Sequence, residues 1–474
     1  MTKSTLVDTL HRLAPSRFVL DSRAVQSGDA FVCKQGLHQD SHQFAEAAVK
    51  AGAGLVIATR PLSLPIPCLV TGSFAASISL INRYLQFPAE QLTQIGVTGT
   101  NGKTTVAYGL HQLLNQEDHS SYSGTLGRLA GDHLVPQLNT TADAVTLLNQ
   151  FHELRQQGYR HHVMEVSSHA LAQDRVDAML FDVAVYTNVS EDHLDFHGHR
   201  DAYQQAKLRL IDRLKPGGCA VINLDDDSAA VIADRCRQRA DVIGYSCTDP
   251  DATLYADIRR SGAQGSEFVL HYQQRQYPCR LWLPFQYNVE NALAMIGAAL
   301  AAGQPLTVVL QRLAQLRQVP GRGQRLDWAD GSQAIIDYAH NQPSLNLLLK
   351  QARQQCRGAI HTVVGVTGDR LEDAAQIGHT ALALSDHCYF TSDNPLGRPL
   401  EQILERMDPD HAARHIPCRR SAIGTALAAM HPGDLLMVCG KGDEQYQYLK
   451  ADRSQPSPYD GDWQVLTQLR PADR

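Results

Sequence analysis

Several features are missing from this sequence. No run of roughly 18 consecutive apolar residues occurs, so nothing in it has the length of a membrane-spanning helix. The first residues lack the apolar stretch of a secretory signal, and a cytoplasmic location is expected. Basic excess is missing too: 43 Lys and Arg against 49 Asp and Glu leave a net charge of -6, no electrostatic footing for nucleic acid. The ten cysteines are scattered, the closest pair being Cys236 and Cys247, so no C-x-x-C pair exists on which zinc or redox chemistry could be built. Reduced, mostly buried thiols are expected. The stretch from Asp192 to His199 is rich in histidine and carboxylate, but such clusters on a surface are common and zinc is not expected. Internal repeats and low-complexity segments are absent as well.

What is present is a chain of 474 residues, 43% hydrophobic and 19% charged, too long for one core and typical of a multidomain enzyme. Short apolar strands near residues 31–32 and 54–58 alternate with a helical pattern at 44–51, which predicts a small α/β domain over 1–88. From residue 89 a strand at 92–98 runs into a glycine-rich turn and a helix, and strand-like runs follow at 162–166, 183–187 and 220–223. This predicts a central domain, 89–317, with a mostly parallel sheet and its function at the strand ends. Proline and glycines at 320–323 mark a second boundary. Beyond it, strands at 334–338, 361–365 and 434–440 predict a C-terminal Rossmann-like α/β domain, 318–474. The tail past Lys450, rich in Pro, Ser, Asp and Gln, is expected to be less ordered.

The turn after the first central strand reads Gly96-Val97-Thr98-Gly99-Thr100-Asn101-Gly102-Lys103-Thr104-Thr105. Small residues let backbone N–H groups close on phosphate oxygens, Lys103 can neutralise β/γ charge, and the Thr104 hydroxyl can coordinate magnesium. ATP or GTP binding is therefore expected. The general pattern G-x-x-x-x-G-K-[ST] would require glycine at position 97, where Val97 stands. Glu165-Val166-Ser167-Ser168-His169 ends one later strand, and residues 187–198, including His193, follow the next. A carboxylate and an imidazole at neighbouring strand ends can hold magnesium between ATP and an activated carboxylate.

Together these residues resemble the Mur ligases, and most of all the MurE branch, which adds the third amino acid to a nucleotide-linked muramoyl peptide. The T-G-T-N-G-K-T-T loop is the form that family carries, and the resemblance covers nearly the whole chain. It implies ATP and magnesium as cofactors, and Thr104, Glu165 and His193 as metal-serving residues. Lys207 matches a lysine that is carbamylated into a carboxylate-like ligand; on residue type alone it reads as an ordinary exposed helix lysine. Lys103, Lys207 and His193 become the catalytic candidates. Asn288, Asn291, Arg322 and Asp337 join residues 99–105 on the ATP side, and His340 completes the D-Y-A-H motif. Ser22, in the uridine-nucleotide segment, and Asn139, Thr140, Thr141, Ser168 and Arg175 match positions that contact the muramoyl peptide.

The implied reaction makes an acyl phosphate on the D-Glu carboxylate of UDP-MurNAc-L-Ala-D-Glu, which the amine of a free amino acid then attacks. The acceptor candidates are Arg370, Asp393, Asn394, Arg398, Gly440 and Glu444, with Asp393 and Glu444 available to an ammonium and Arg370 to a carboxylate. Three departures from the family pattern concentrate where the acceptor is expected. Leu396 replaces the arginine of D-N-P-R, Asp443 replaces the histidine of G-K-G-H-E, and residues 371–376 lack the basic K-R-P. Meso-diaminopimelate is the favoured acceptor because Arg370, Asn394 and Glu444 remain, with Arg398 either reaching its distal carboxylate or standing as a solvent-facing loop arginine; lysine, ornithine or another amino acid, a folylpolyglutamate-synthetase-like ligase and a non-catalytic nucleotide-binding protein are the alternatives. A monomer without nucleic-acid or membrane partners is expected.

Overall fold

Four short parallel strands, Phe18–Val19, Ala30–Val32, Leu55–Ala58 and Cys68–Val70, lie side by side in chain order near the start of the computed structural model. It describes residues 3–36, 39–115, 119–190, 192–237, 239–452 and 455–471. Both faces of this sheet are covered, which is why Leu55–Ala58 is apolar throughout and wholly buried. The helix Phe74–Tyr84 starts where Ser73 caps the Ala76 N–H and packs Ile78, Leu80 and Ile81 onto one face. The same core is completed by Ala144, Val145 and Leu148 of a helix from the central region. Asn149 of that helix accepts from the Phe18 N–H (3.2 Å) and donates to its carbonyl (2.8 Å), fixing the first sheet to the second.

The central sheet has eleven strands. Six of them, β1 (Thr93–Thr98), β2 (Ser120–Gly124), β3 (His161–Glu165), β4 (Phe181–Tyr186), β5 (Leu214–Asn223) and β6 (Asp241–Ser246), form its parallel middle in the order β6-β5-β4-β1-β3-β2. Antiparallel hairpins extend both edges. Helices α1 (Lys103–Leu114), α2 (Arg200–Leu208) and α3 (Tyr287–Ala301) belong to this unit. Facing a buried sheet on one side and α1 on the other, α3 is apolar around most of its surface. The loops leaving β1, β3 and β4 emerge side by side, because Val97 is in register with both Glu165 and Val185.

A third sheet carries β7 (Gln333–Asp337), β8 (Ile360–Val364), β9 (His387–Phe390) and β10 (Leu435–Cys439) in the order β7-β10-β8-β9, all parallel, with Gln324–Asp327 antiparallel at one edge. Apolar clusters fill both of its faces. The tail does not follow the expectation of lower order. Pro456–Pro458 pairs with Tyr446–Tyr448, and the helix Asp462–Leu469 inserts Val465 and Leu466, both fully buried. Polar composition hides the anchor: Arg419 and Asp462, both buried, pair at 2.7 Å. All ten cysteines are free, five of them buried. Among the described residues no helix is long and apolar enough to cross a membrane.

Candidate active site

Between β1 and α1 the chain turns on two glycines with positive φ, Gly99 (152°) and Gly102 (84°). A Cβ on Gly99 would lie 1.8 Å from the Thr187 hydroxyl oxygen, and one on Gly102 would lie 2.6 Å from Asn291 Oδ1. Glycine is required at both by backbone conformation and by neighbours. Position 97 is different: it is still inside β1, fully buried in the sheet's core, so a β-branched residue suits it better than the glycine of the general pattern. The β4 loop clasps the turn, since the Thr100 N–H donates to the Asn188 carbonyl (2.8 Å), the Asn101 N–H to Asn188 Oδ1 (2.9 Å) and the Thr187 hydroxyl to the Asn101 carbonyl (2.6 Å). Lys103 Nζ donates to the carbonyls of Gly99 and Thr100, each at 2.9 Å. Burial lowers its pKa, with Glu165 and Asp192 pulling the other way. Thr104 and Thr105 are buried in the first turn of α1.

Glu165 ends β3 with no exposed surface. Its carboxylate accepts from the Tyr122 hydroxyl (2.6 Å), the Thr125 N–H (2.8 Å) and hydroxyl (3.1 Å), and the Thr104 hydroxyl (3.0 Å). Gly124 makes room for it: a Cβ there would sit 2.2 Å from Oε1. No basic side chain forms an ion pair with Glu165 among the described residues; its contacts are neutral hydroxyls and one backbone N–H.

The reading of Lys207 as an exposed helix lysine is corrected. The inward face of α2 carries Tyr203, Ala206 and Lys207, and Lys207 is 1% exposed. Its ammonium donates to the Gly99 carbonyl (2.7 Å) and lies 4.5 Å from the Tyr203 ring centroid. Burial, then the charge of Lys103, drives its pKa well below the usual value. His193 has a left-handed backbone (φ 52°), and its Nε2 lies 3.8 Å from Asp192. Burial lowers the His193 pKa against the pull of Asp192, and Arg370, Lys103 and Lys207 lower it further. Burial opposes ionisation of Asp192, but His193, Arg370 and His340 outweigh it and hold the carboxyl at about 2. Among the described residues no group of three or more His, Cys, Asp and Glu is arranged to hold a metal by itself.

The muramoyl-peptide candidates collect beside Glu165, with one set apart. The Thr141 hydroxyl donates to the Glu165 carbonyl (2.8 Å) and accepts from the Ser167 N–H (3.0 Å), while Arg175 donates to the Thr141 carbonyl (2.8 Å). Thr140 Oγ1 lies 3.3 Å from Thr125 Oγ1, and Ser168 Oγ lies 3.1 Å from His197 Nε2. Asn139 is exposed on the loop before them. Ser22 opens the turn Ser22–Ala24 on the N-terminal sheet.

On the nucleotide side, Asn291 donates to Asn288 Oδ1 (2.9 Å) and Asn288 to the Pro284 carbonyl (2.7 Å), forming a wall against Gly102. Arg322 lies over the Tyr338 ring at 4.0 Å and reaches across to the Thr104 hydroxyl at 3.5 Å. Asp337 accepts from the N–H groups of Gly323 (2.8 Å) and Ala339 (2.9 Å), and burial raises its pKa. The Ser344 hydroxyl adds a second crossing, to Asn101 Oδ1 (3.0 Å), and Arg370 a third, to Asp192 (3.0 Å). His340 Nδ1 donates to the Tyr338 carbonyl (2.8 Å), and burial lowers its pKa to about 4.

Around the acceptor candidates the structure changes the expected pairing. Asp393 and Glu444 already share an internal cation, since Lys441, 1% exposed, donates to Glu444 at 2.8 Å and to Asp393 and Asn394 Oδ1 at 3.4 Å. Asn394 Nδ2 (3.0 Å) and the Tyr338 hydroxyl (3.1 Å) complete the shell of Glu444. Gly440 (φ 108°) lets the chain pass Asp393, since a Cβ would lie 2.9 Å from Oδ2. Arg398 Nε donates to the Gly368 carbonyl at 2.6 Å.

The three departures do not share one pocket. Leu396 is turned inward at 8% exposure, whereas Asp443 faces Arg322 at 3.7 Å on the phosphate side. One buried oxygen of Asp443 has no hydrogen-bond partner, and burial raises its carboxyl to about 6. Residues 371–376 run into the helix Ala374–Leu384. Tyr122, Thr125, Asp192 and Lys441 belong to these clusters without having been singled out from sequence. Lys441 had a visible signal in its place in Gly440-Lys441-Gly442-Asp443-Glu444, and Asp192 in the stretch from Asp192 to His199; Tyr122 and Thr125 had none.

The Mur ligase middle domain family matches residues 97–299, and the Mur ligase glutamate ligase domain family matches residues 321–442. The chain is similar to the UDP-N-acetylmuramoyl-L-alanyl-D-glutamate–2,6-diaminopimelate ligase of Geobacillus kaustophilus, 35% identical over 91% of each chain. It is also similar to the ligase of the same name from Pseudomonas aeruginosa, 36% identical over 92% of this chain and 91% of that one. A solved structure of a ligase with that name superposes with a TM-score of 0.67 at 31% identity, covering 96% of this chain and 94% of the other.

Proposed function

The chain belongs to the Mur ligase family, and from that premise we propose that it joins meso-diaminopimelate, as third amino acid, to UDP-MurNAc-L-Ala-D-Glu. The reaction consumes ATP in the cytoplasm during peptidoglycan precursor synthesis. In this reading residues 1–88 hold the UDP-linked substrate, 89–317 the ATP and 318–474 the amino acid. The observation that carries the choice of acceptor is the Lys441 cluster. With one of the two carboxylate charges of Asp393 and Glu444 already offset by the Lys441 ammonium, the pocket has less to offer the side-chain cation of lysine or ornithine. Arg398, by contrast, uses only Nε on Gly368, and its two terminal nitrogens have no partner among the described residues. A planar fork with two free donors suits a distal carboxylate.

A carboxylate resists attack by an amine until phosphorylation supplies a leaving group. Backbone N–H groups of the turn 99–102 and the start of α1 would cradle the phosphates, and Lys103 would exchange the Gly99 and Thr100 carbonyls for β/γ oxygens. Arg322, already beside Thr104, would add charge stabilisation to the transferring phosphoryl group. Thr104 and Glu165 fit a magnesium ion, which takes one or two carboxylates together with substrate phosphates rather than a full protein cage; His193 and Lys207 are the further candidates. Bound there, the ion would neutralise charge developing on that group. Burial lowers the Lys207 pKa and so favours the neutral amine, the form that adds carbon dioxide to give a carbamate. The acceptor amine then attacks the acyl carbon and phosphate departs.

The test supplies the enzyme with ATP, magnesium, UDP-MurNAc-L-Ala-D-Glu and a panel of amino acids, following phosphate release and product mass. Meso-diaminopimelate should stimulate most, and Arg398→Ala should raise its KM while sparing that of ATP. Stimulation by lysine or ornithine alone would overturn the acceptor, and none by any amino acid would overturn the ligase.

A further inference from the structure

The acceptor loop is held from outside by a strand. Gln447, in the strand Tyr446–Tyr448, donates its amide to the Ser392 hydroxyl (2.9 Å) and to the Asp393 carbonyl. The Tyr448 N–H donates to Asn394 Oδ1 (2.8 Å), leaving Asn394 Nδ2 for Glu444. The Tyr448 carbonyl accepts from the Leu396 N–H (3.1 Å) and the Leu449 carbonyl from the Gly397 N–H (2.6 Å). Five acceptor-loop positions, Ser392, Asp393, Asn394, Leu396 and Gly397, are thus tied to one short segment.

The loop so held adopts a conformation that its own residues disfavour. Pro395 to Arg398 form a tight turn, closed by the Arg398 N–H on the Pro395 carbonyl (3.0 Å), with Leu396 at φ 53° and Gly397 at φ 81°. A turn with both central residues left-handed favours Asn or Gly at the first of them; leucine there meets its own carbonyl through Cβ. Such a conformer persists only where the surroundings over-determine it. Here they are the two hydrogen bonds to Tyr448 and Leu449 and the burial of the Leu396 side chain against Gly368. Arg398 leaves the turn with Nε on Gly368, two residues from Arg370. The strand is itself anchored: Tyr446 pairs with Pro458, the Tyr459 hydroxyl donates to Asp462 (2.7 Å), and Arg419 joins Asp462 to the Cys439 carbonyl (2.9 Å), just before Gly440 and Lys441.

We infer that Gln447 is a positioning residue for acceptor specificity: it fastens the strand Tyr446–Tyr448 to Ser392 and Asp393, so that the left-handed turn at Leu396 presents Arg398 and Asn394 to the incoming amino acid. The inference rests on the acceptor site proposed above. It does not depend on which amino acid occupies it, because the measurement uses whichever member of the panel stimulates phosphate release. Gln447→Ala should raise the KM for that amino acid roughly tenfold, equivalent to about 1.4 kcal/mol, while kcat at saturation and the KM for ATP stay within about twofold. Gln447→Met, which keeps the bulk, should behave alike. Adding Leu396→Asn to Gln447→Ala should restore most of the acceptor KM, since asparagine accepts the left-handed conformation without external restraint. An unchanged acceptor KM in folded Gln447→Ala or Gln447→Met, a parallel rise for ATP, or failure of Leu396→Asn to rescue would each overturn it.

Discussion

Replacing Lys441 by methionine tests how the C-terminal site is built. Its ammonium is 1% exposed and meets Glu444 at 2.8 Å and Asp393 at 3.4 Å. At an effective dielectric constant near 20 these separations correspond to gross attractions of about 6 and about 5 kcal/mol. Taking three ions out of water offsets several kcal/mol apiece, so the intact cluster contributes little net stability. Lys441→Met is another matter, because it leaves two carboxylates facing each other without the cation, and breaking a buried pair in this way costs about 3–5 kcal/mol. For a cooperative unit of roughly 150 residues that lowers the unfolding midpoint by about 6–20 °C.

Tryptophan fluorescence follows this transition, since Trp328 is buried against the third sheet and Trp463 lies on its last helix. The loss should also depend on pH in a fixed direction. Burial already raises the Asp393 pKa above 3.8, and Lys441 opposes that rise. Without Lys441 the folded-state pKa climbs further. A carboxyl whose folded pKa is raised binds more protons folded than unfolded, so stability falls as pH rises through the window between 3.8 and the folded value. The deficit of Lys441→Met should therefore be largest at neutral and alkaline pH and shrink as pH falls toward 3.8. A deficit below about 1 kcal/mol at neutral pH, or one that does not change on acidification, would refute the reasoning.

Gly99→Ala places a methyl group 1.8 Å from the Thr187 hydroxyl oxygen and should abolish binding of a fluorescent ATP analogue while far-UV circular dichroism stays unchanged; near-normal affinity would contradict the loop geometry. Glu165→Gln preserves shape but removes the charge. It should lower kcat on the order of 100-fold or more and weaken manganese binding, measured by electron paramagnetic resonance with a non-hydrolysable ATP analogue. Unaltered manganese affinity would separate Glu165 from the metal. Lys207→Ala should cut turnover to a similar extent, with partial rescue by short carboxylates; full activity would remove the carbamate.

Features that are local in the chain were legible in the sequence. The parallel sheets could be read because doubly covered strands such as Leu55–Ala58 and His161–Glu165 are uninterrupted buried runs. The phosphate loop could be read because its glycines, lysine and threonine are contiguous, and Val97 departs from the general pattern only because β1 has not yet ended there. Features assembled across the fold were not legible. Tyr122 and Thr125 reach Glu165 from β2 and the loop after it, some forty residues earlier in the chain. Lys207 sits in a polar helical sequence whose inward face only the packing reveals, and the tail's anchoring pair joins Arg419 to Asp462, forty-three residues later in the chain.

The distribution of the three departures alters what each can mean. Leu396 cannot act as a shortened clamp, since its N–H is committed to Tyr448 and its side chain is buried. Under the proposed function, recognition of a distal group would then fall to Arg398, the next side chain able to bear charge after the turn. Asp443 stands beside Arg322, and Arg322 beside Thr104, so its influence falls on the phosphate side. With its carboxyl raised to about 6, Asp443 would, under the proposed function, compete at neutral pH with phosphate for the same guanidinium. A substitution at Asp443 should consequently appear in the KM for ATP and leave the order of acceptor preference unchanged, whereas changes at Arg398 and Gln447 should do the reverse. If Asp443→Asn altered the ranking of amino acids in the panel, the assignment of these residues to separate sites would fail.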